Sequence, residues 1–250
     1  MKIDLTGKTI LVTGASRGIG RGIAEALGKS GATVAVHYRQ NKTLAEKLAE
    51  EIGNSSKAFQ ADLEDPESCK RLFNDVICTF NHLDVLVNNA GIFLNSPIED
   101  ETWLDDWDKT LNVNLRAAAI LSRSAILHFR KRGEGRIINI SSRAAFRGDN
   151  PEHLAYAASK AGMVALTKSI ARGYGKDGIA AFLIAPGWVK TDMNRETIER
   201  YGEEAITKDL ALNKLTKPKD LAPMIVLLAS GMADHATGTT IDINAGSYVH

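Results

Sequence analysis

The sequence predicts a single-domain, three-layer α/β protein in which helices cover both faces of a parallel sheet. Seven short apolar or β-branched segments alternate with longer segments of helical periodicity, the pattern of βαβ units. The strand segments are nearly continuous apolar runs, as expected when both faces of a sheet are buried. Because crossovers between parallel strands are right-handed, such units produce a doubly wound sheet. No linker or repeat divides the chain, so we expect one domain over 1–250.

The predicted elements follow one another in strict alternation. The strands are expected at 9–14, 33–38, 57–62, 83–90, 135–141, 179–186 and 239–244. The helices are expected at 18–30, 42–53, 66–80, 101–131, 155–175 and 218–230. The stretch at about 188–217 is polar and weakly patterned, and we expect it to form a substrate loop before the last helix.

Composition excludes several classes of protein. The chain is 44% hydrophobic and 24% charged, which is typical of soluble globular domains. A net charge of +1 provides no broad field for nucleic acid or an anionic membrane. The longest apolar run, 179–185, is far short of the roughly 20 residues of a membrane helix. Two cysteines, Cys69 and Cys78, suggest neither a disulfide framework nor a metal site, so a reducing cytoplasm is expected.

A glycine-rich turn, "TGASRGIG" at 13–20, follows the first strand and opens the first helix. Glycines allow a tight turn and let a pyrophosphate approach backbone N–H groups at a helix N-terminus. A plain glycine-rich connection has the same composition, but its position between strand one and helix one favours dinucleotide binding. The turn residues expected to contact the dinucleotide are Gly14, Ser16, Arg17, Gly18, Ile19 and Gly20.

The end of the second strand, "HYRQNK", indicates which dinucleotide binds. NAD-type sites place an acid about 20 residues after the turn, where it holds the ribose 2′-hydroxyl. Tyr38 and Arg39 occupy that place here, and Arg17 adds a second cation. Two guanidinium groups can grip a 2′-phosphate that an acid would repel. We therefore expect NADP(H) in preference to NAD(H), although Arg39 could simply begin a solvated loop.

A tyrosine and a lysine are spaced four residues apart in "LAYAASK", at 154–160. Tyr156 and Lys160 share one face of any helix that contains both. An ammonium group beside a phenol lowers the phenol's pKa, which suits a proton donor. Such pairs are also common on solvated helix faces, so this spacing alone does not decide between the two readings.

Four more motifs accompany these two, in a fixed order along the chain. They are "NNAG" at 88–91, "NVNL" at 112–115, "ISS" at 140–142 and "APGWVKTDM" at 185–193. With "TGASRGIG" and "YAASK", the set resembles the short-chain dehydrogenase/reductase family over about residues 5–247. The resemblance implies a Rossmann fold with a seven-stranded parallel sheet. Within the family, the sequence is most similar to NADPH-linked 3-oxoacyl-carrier-protein reductases and related carbonyl reductases.

The resemblance implies four catalytic residues. Tyr156 would be the general acid in ketone reduction, and Lys160 would lower its pKa and hold the ribose hydroxyls. Ser142, the second serine of its pair, would donate a hydrogen bond to the carbonyl oxygen. Asn114 would hold a water that connects Lys160 with solvent. A strand-end cap and a helix polar residue are the ordinary structural alternatives for Ser142 and Asn114.

The resemblance also implies the remaining cofactor contacts and the assembly. Asp62 and Leu63 would meet the adenine, although an acid such as Asp62 also suits a helix start. The ribose, pyrophosphate and carboxamide contacts would come from Asn88, Ala90, Gly91, Pro186, Gly187, Val189 and Thr191, with Tyr156 and Lys160. The family resemblance implies a homotetramer, and no metal is expected.

The substrate is expected to be a carbonyl compound, either a small molecule or an acyl thioester. Its pocket would be lined by Phe93, Arg143, Ala144, His153, Trp188 and the loop around Met193. A carrier-bound substrate needs cations near the entrance, which the segment 129–136 could provide. A dehydrogenase of a sugar, polyol or steroid alcohol is the second hypothesis. The third is a non-catalytic nucleotide sensor, against which the intact Ser142, Tyr156 and Lys160 argue.

Overall fold

A seven-stranded, fully parallel sheet forms the centre of the protein, as the sequence predicts. The computed structural model describes residues 3–191, 202–208 and 210–249. The strands, numbered along the chain, are β1 (Thr9–Val12), β2 (Thr33–Tyr38), β3 (Lys57–Gln60), β4 (Val85–Asn88), β5 (Gly135–Ile140), β6 (Ile179–Pro186) and β7 (Thr240–Ile243). Their order in the sheet is β3-β2-β1-β4-β5-β6-β7. The strand order reverses between β1 and β4, which is where ligands bind in sheets of this kind.

Helices cover both faces of the sheet and complete the three layers. In the described ranges they are α1 (Gly18–Lys29), α2 (Lys42–Ile52), α3 (Pro66–Phe80), α4 (Trp103–Leu111), α5 (Ala117–Arg132), α6 (Ala144–Arg147), α7 (Leu154–Tyr174), α8 (Glu203–Thr207) and α9 (Pro218–Ser230). Neighbouring residues of β1 point to opposite faces. Ile10 therefore packs with α1, α2 and α9, whereas Leu11 packs with α3, α5 and α7.

Local sequence explains where the helices begin and end. The side chain of Asp65 accepts hydrogen bonds from the backbone N–H groups of Glu67 and Ser68, and Pro66 occupies the first helical position of α3. Asn81 ends that helix in the left-handed conformation, with a φ of 66°. These capping residues lie at the limits that the sequence predicts for this helix.

The prediction of one continuous helix at 101–131 is wrong. The structure divides it into α4 and α5, which are joined by a π-helical turn, Asn112–Arg116. Such wide turns are rare and often lie at functional sites. The turn contains Asn114, a proposed catalytic residue, and its side-chain contacts are described below.

The predicted substrate loop at 188–217 contains more structure than expected. Val189 pairs with Thr216 in an isolated parallel bridge, and α8 lies between them in sequence. Residues 192–201 and 209 of this stretch, including Met193, lie outside the described part of the chain. The helices that the structure describes include none with both the length and the apolar character needed to cross a membrane.

Candidate active site

A cleft of about 310 Å³ opens at the carboxyl ends of the central strands. It lies at the position where the strand order reverses, and most of the residues predicted to bind a cofactor line it. These are Gly14, Ser16, Arg17, Gly18, Ile19, Gly20, Tyr38, Arg39, Asp62, Leu63, Ala90, Gly91, Tyr156, Lys160 and Thr191. The cleft is also lined by residues that were not predicted to bind the cofactor, namely Gln40, Asn41, Asn89, Ile92, Val113, Ile140 and Ser141, and by His37.

The glycine-rich turn is packed too closely for side chains at two of its glycines. A Cβ on Gly14, whose φ is +62°, would lie 2.9 Å from the Cα of Ala90. A Cβ on Gly20 would lie 2.3 Å from the carbonyl oxygen of Gly14. The backbone of the turn therefore forms the wall of the cleft directly, at the N-terminus of α1. This arrangement fits the pyrophosphate of a dinucleotide.

His37, at the end of β2, holds this turn in place. The N–H of Gly14 donates to His37 Nδ1 at 2.9 Å, and His37 Nε2 lies 3.2 Å from the carbonyl oxygen of Ala61. Burial lowers the pKa of His37 from 6.5 to about 4, so the ring is neutral at neutral pH, with its proton on Nε2. A histidine at the end of an otherwise apolar strand was the only signal in the sequence for this role.

Arg39 contacts an acid in the structure. Its Nε and Nη2 both lie 3.0 Å from Asp62 Oδ2, and Nη2 lies 4.0 Å from Glu64 Oε2. From the sequence, Arg39 was expected to bind the 2′-phosphate and Asp62 to meet the adenine. Tyr38, beside Arg39, is largely buried in the core, while Arg17 is exposed at the N-terminus of α1.

Asn88 does not line the cleft, so that prediction needs correction. Its side-chain nitrogen donates to Asn139 Oδ1 at 2.8 Å and to Ser122 Oγ at 3.2 Å, inside the protein. Asn89 faces the glycine turn instead and donates to the carbonyl oxygen of Thr13 at 2.8 Å. The physical reason is that successive residues of an extended strand point in opposite directions.

The two serines after β5 have different roles. The Ser141 hydroxyl donates to the backbone carbonyl of Lys160 at 2.9 Å and joins β5 to α7. Ser142 Oγ accepts from the N–H of Ala144 at 3.1 Å, and the Ser142 side chain interacts with the Tyr156 phenol and lowers its pKa. Of the two serines, Ser142 is the one whose side chain interacts with the tyrosine.

The environment of Tyr156 raises the pKa of its phenol. Loss of water around the group moves the pKa from 10.0 to about 12. The hydrogen bond with Ser142 acts in the opposite direction, and the charge of Asp149 adds to the increase. The sequence predicts that Lys160 lowers the pKa of Tyr156. In the structure, the surroundings of the phenol raise its pKa instead.

Lys160 lies below the tyrosine ring, against the end of β5. Its Nζ donates to the carbonyl oxygen of Ile140 at 2.9 Å and lies 5.7 Å from the centroid of the Tyr156 ring. Burial lowers the pKa of Lys160 from 10.5 to about 8, because an ammonium group loses hydration there. The lysine therefore remains mostly protonated at neutral pH, and its pKa lies well below that of an ordinary lysine.

Asn114 connects three segments of the site. Its Oδ1 accepts from the N–H of Ile92 at 2.8 Å, and its Nδ2 donates to the carbonyl oxygen of Ile92 at 3.0 Å. The same Nδ2 lies 3.1 Å from Ser159 Oγ, which donates to the backbone carbonyl of Tyr156 at 2.7 Å. Asn114 is fully buried and does not line the described cleft.

Aromatic residues that were predicted to line the substrate pocket pack beside the tyrosine ring. Phe93 meets the ring of Tyr156 edge-on, with centroids 4.7 Å apart, and lies 3.8 Å from the ring of His153. The Arg143 guanidinium lies 6.0 Å from the ring centroid of Trp188. Of the other predicted wall residues, Ala144 is buried at the start of α6.

The residues that follow β6 lie around the cleft in different ways. Thr191 lines it, next to Gly18, whose added Cβ would lie 3.5 Å from Thr191 Cγ2. Pro186, Gly187 and Val189 do not line the described cleft, and Val189 is buried in the core. Across the described residues, no three His, Cys, Asp or Glu side chains are grouped to hold a metal ion.

The cations expected near a carrier-protein entrance are elsewhere in this chain. Arg130 and Arg132 end α5, immediately before β5 begins, and therefore lie at the amino edge of the sheet. Arg130 pairs with Asp177 at 3.1 Å, and Arg132 pairs with Asp84 at 3.0 Å. Within one chain, this segment is on the side opposite the cleft.

Comparison with known proteins identifies relatives over almost the whole chain. A family model described as enoyl-(acyl carrier protein) reductase matches residues 14–248. The 3-oxoacyl-(acyl-carrier-protein) reductase FabG of Staphylococcus aureus is 38% identical over 245 residues, which cover 97% of this chain and 98% of the relative. The hydroxynaphthalene reductase-like protein Arp2 of Metarhizium guizhouense is 37% identical over 259 residues, which cover 98% and 96%.

Solved structures of the same fold carry a different functional description. A candidate gluconate dehydrogenase from Agrobacterium tumefaciens superimposes with a TM-score of 0.92 at 30% identity and covers 100% of both chains. A candidate NAD(P)-dependent gluconate 5-dehydrogenase from Beutenbergia cavernae, with NADP bound at low occupancy, has a TM-score of 0.91. It is 36% identical and covers 99% of both chains.

Proposed function

The chain belongs to the short-chain dehydrogenase/reductase family of oxidoreductases, and on that premise we propose that it transfers a hydride between NADP(H) and a carbonyl or alcohol substrate. The proposed physiological reaction is reduction of a ketone, such as a 3-oxoacyl compound. One observation carries the proposal: Tyr156 borders the glycine-walled cleft, where its phenol interacts with the Ser142 side chain and its ring lies 5.7 Å from Lys160 Nζ.

The residues of this chain would supply the proton and the positioning. When bound, a nicotinamide cofactor would supply the hydride for the carbonyl carbon. Tyr156 donates its phenolic proton to the carbonyl oxygen, and its pKa of about 12 keeps that proton in place at neutral pH. Ser142 stabilises the negative charge that develops on the oxygen. Lys160, with a pKa of about 8, can return a proton to the tyrosine.

Asn114 has a positioning role in this proposal. Its amide pairs with both backbone groups of Ile92, a residue of the cleft wall, and contacts Ser159, one turn from Tyr156. Its side chain therefore holds the cleft wall against α7. The water that the family resemblance assigns to Asn114 would be bound in addition to these contacts.

Two cations support the choice of NADP(H). Arg17 and Arg39 both line the cleft near the glycine turn and the end of β2, where a 2′-phosphate would lie. The similar structure from Beutenbergia cavernae was solved with NADP bound at low occupancy. Replacement of Arg39 by alanine should weaken NADPH binding at least several-fold and leave NADH binding nearly unchanged.

A second candidate function is oxidation of a polyol acid, in the class of gluconate. The two structural relatives described as gluconate dehydrogenases favour it. The ion pairs of Arg130 and Arg132 also count against these residues as a carrier-protein docking surface within one chain. The sequence relatives described as 3-oxoacyl-carrier-protein reductases favour the first candidate.

A substrate panel tests both candidates. Ketones, acyl thioesters and keto acids are offered with NADPH, and sugars and polyol acids with NADP⁺, while nicotinamide absorbance is recorded. Tyr156→Phe should abolish turnover and leave NADPH affinity nearly intact. Tyr174→Phe, on the same helix, should behave like the wild type. Turnover that persists in Tyr156→Phe would refute the catalytic assignment.

We also propose that the protein acts in the cytoplasm and forms a homotetramer, as the family resemblance implies. The described cysteines, Cys69 and Cys78, are both free thiols, which suits a reducing compartment. Light scattering of the purified protein would measure the assembly, and a monomer mass would contradict it.

A further inference from the structure

The end of the cleft formed by β2 and β3 contains one cation and two acids in mutual contact. The Arg39 guanidinium lies 3.0 Å from the Asp62 carboxylate and 4.0 Å from that of Glu64. The three side chains are similarly exposed, at 44%, 40% and 37%. Arg39 is thus paired with carboxylates at the place where the proposed function requires it to bind a 2′-phosphate.

Backbone hydrogen bonds hold the acids in this position. Asp62 Oδ1 accepts from the N–H of Glu64 at 3.0 Å, which leaves Oδ2 directed at Arg39. The backbone N–H of Asp62 donates to Ser68 Oγ at 3.0 Å, and Arg116 donates to the carbonyl of Glu64 at 2.8 Å. The Asp62 carboxylate therefore belongs to an ordered turn.

We propose that Asp62 is a specificity-determining residue that competes with the 2′-phosphate for Arg39 and so limits the preference for NADP(H) over NAD(H). This inference rests on the proposed function, because it concerns the same cofactor site. It assigns Asp62 an electrostatic role that is separate from the adenine contact expected from the sequence.

Charge arithmetic gives the direction of the effect. Arg39, Asp62 and Glu64 together carry one negative charge, and a phosphomonoester adds about −1.5 to −2. A 2′-phosphate is repelled by the acids and must share Arg39 with Asp62. The uncharged 2′-hydroxyl of NAD(H) meets no such repulsion, and a carboxylate can accept its hydrogen bond. Asp62 therefore penalises one cofactor and not the other.

The expected effect of Asp62 on NADPH binding is modest, because Arg39, Asp62 and Glu64 are partly exposed to solvent. Exposed ion pairs contribute about 0.2–1 kcal/mol, and salt screens them. We expect Asp62→Asn to tighten NADPH binding roughly 1.4- to fivefold at low salt, with less gain at high salt. Asparagine retains the Oδ1 acceptor for Glu64, so the turn is preserved.

The experiment measures dissociation constants of NADPH and NADH by nicotinamide fluorescence. It compares the wild type with Asp62→Asn, Glu64→Gln, Arg39→Ala and the double variant Arg39→Ala/Asp62→Asn. Asp75→Asn, an exposed acid on α3, controls for net charge. The inference predicts that Asp62→Asn raises the NADPH-to-NADH preference, that Glu64→Gln raises it less, and that the gain shrinks without Arg39.

The outcomes separate this inference from the proposed function. A preference for NADPH that is unchanged or smaller in Asp62→Asn would overturn the inference, because Asp62 would then orient Arg39 for the phosphate. An equal gain in Asp75→Asn would also overturn it. If the wild type binds neither nucleotide, the proposed function itself fails.

Discussion

Asn114 and Ile92 form a closed pair: the asparagine amide accepts from the backbone N–H and donates to the carbonyl of the same residue, at 2.8 and 3.0 Å. Asn114→Ala would leave both backbone groups without this partner. Each such loss in a buried setting costs about 1–3 kcal/mol, so we expect the loss of both bonds to lower the unfolding free energy by about 2–6 kcal/mol. Urea-induced unfolding of the wild type and the variant measures this difference in unfolding free energy. Asn112→Ala, in the same π-helical turn, is the control, and an equal loss there would contradict the assignment.

Gly91→Ala should impair the site more than the fold. An added Cβ would lie 3.3 Å from Asn114 Oδ1 and 3.4 Å from Lys160 Nζ. These contacts are tight enough to displace the lysine, so we expect turnover to fall at least tenfold, as measured by steady-state kinetics. Gly173→Ala, in α7, has open space and should instead gain about 0.5–1 kcal/mol of stability. Full activity in Gly91→Ala would show that Lys160 tolerates displacement.

Lys160→Met should stabilise the protein while it removes activity. The folded pKa of about 8 lies below the ordinary value of 10.5, so the unfolded chain binds an additional proton between these limits. The unfolding free energy therefore rises as pH increases from about 8 to 10.5. Below about pH 8 the lysine is charged, and the full cost of burying that charge lowers the stability of the folded protein. Methionine removes this penalty but also the hydrogen bond to Ile140. We expect a net gain of about 1–2 kcal/mol at neutral pH.

The gain of Lys160→Met should shrink as pH rises from about 8 towards 10.5. Urea unfolding at both ends of this range measures it. Lys168→Met, an exposed lysine on the same helix, should show no comparable dependence. A gain that is independent of pH would mean that packing, and not charge, accounts for it.

His37 should make the protein sensitive to mild acid. Its folded pKa of about 4 lies below the ordinary 6.5, so the unfolded chain binds the additional proton as pH falls through this range. As pH falls from about 6.5 to about 4, we expect the unfolding free energy to decrease progressively, by about 3 kcal/mol in total. His37→Gln can still accept from Gly14 and donate to Ala61, and should remove most of this slope.

Unfolding free energies measured between those pH values test the prediction for His37. His235→Gln replaces an exposed histidine and should leave the slope as it is in the wild type. An unchanged slope in His37→Gln would assign the acid sensitivity to other groups.

The architecture and the location of the cleft could be predicted because they depend on repeating local patterns. Apolar runs alternating with helical periodicity predict a parallel sheet, and parallel strands place their carboxyl ends at one edge. The glycine turn after β1, Ser142 after β5 and Tyr156 on α7 were therefore expected to converge. Ser142 was also predicted in preference to Ser141; the Ser141 hydroxyl bonds to the backbone of Lys160, and the side chain of Ser142 interacts with Tyr156.

Tertiary structure alone decided which side chains meet. Arg39 and Asp62 are 23 residues apart, and only the pairing of β2 with β3 brings the guanidinium to the carboxylate. Desolvation by the whole surrounding fold raises the pKa of Tyr156, against the lowering inferred from its neighbour in sequence. A linear motif specifies residue types and spacing, whereas side-chain direction, burial and contacts between distant segments arise only when the sheet and its covering helices pack together.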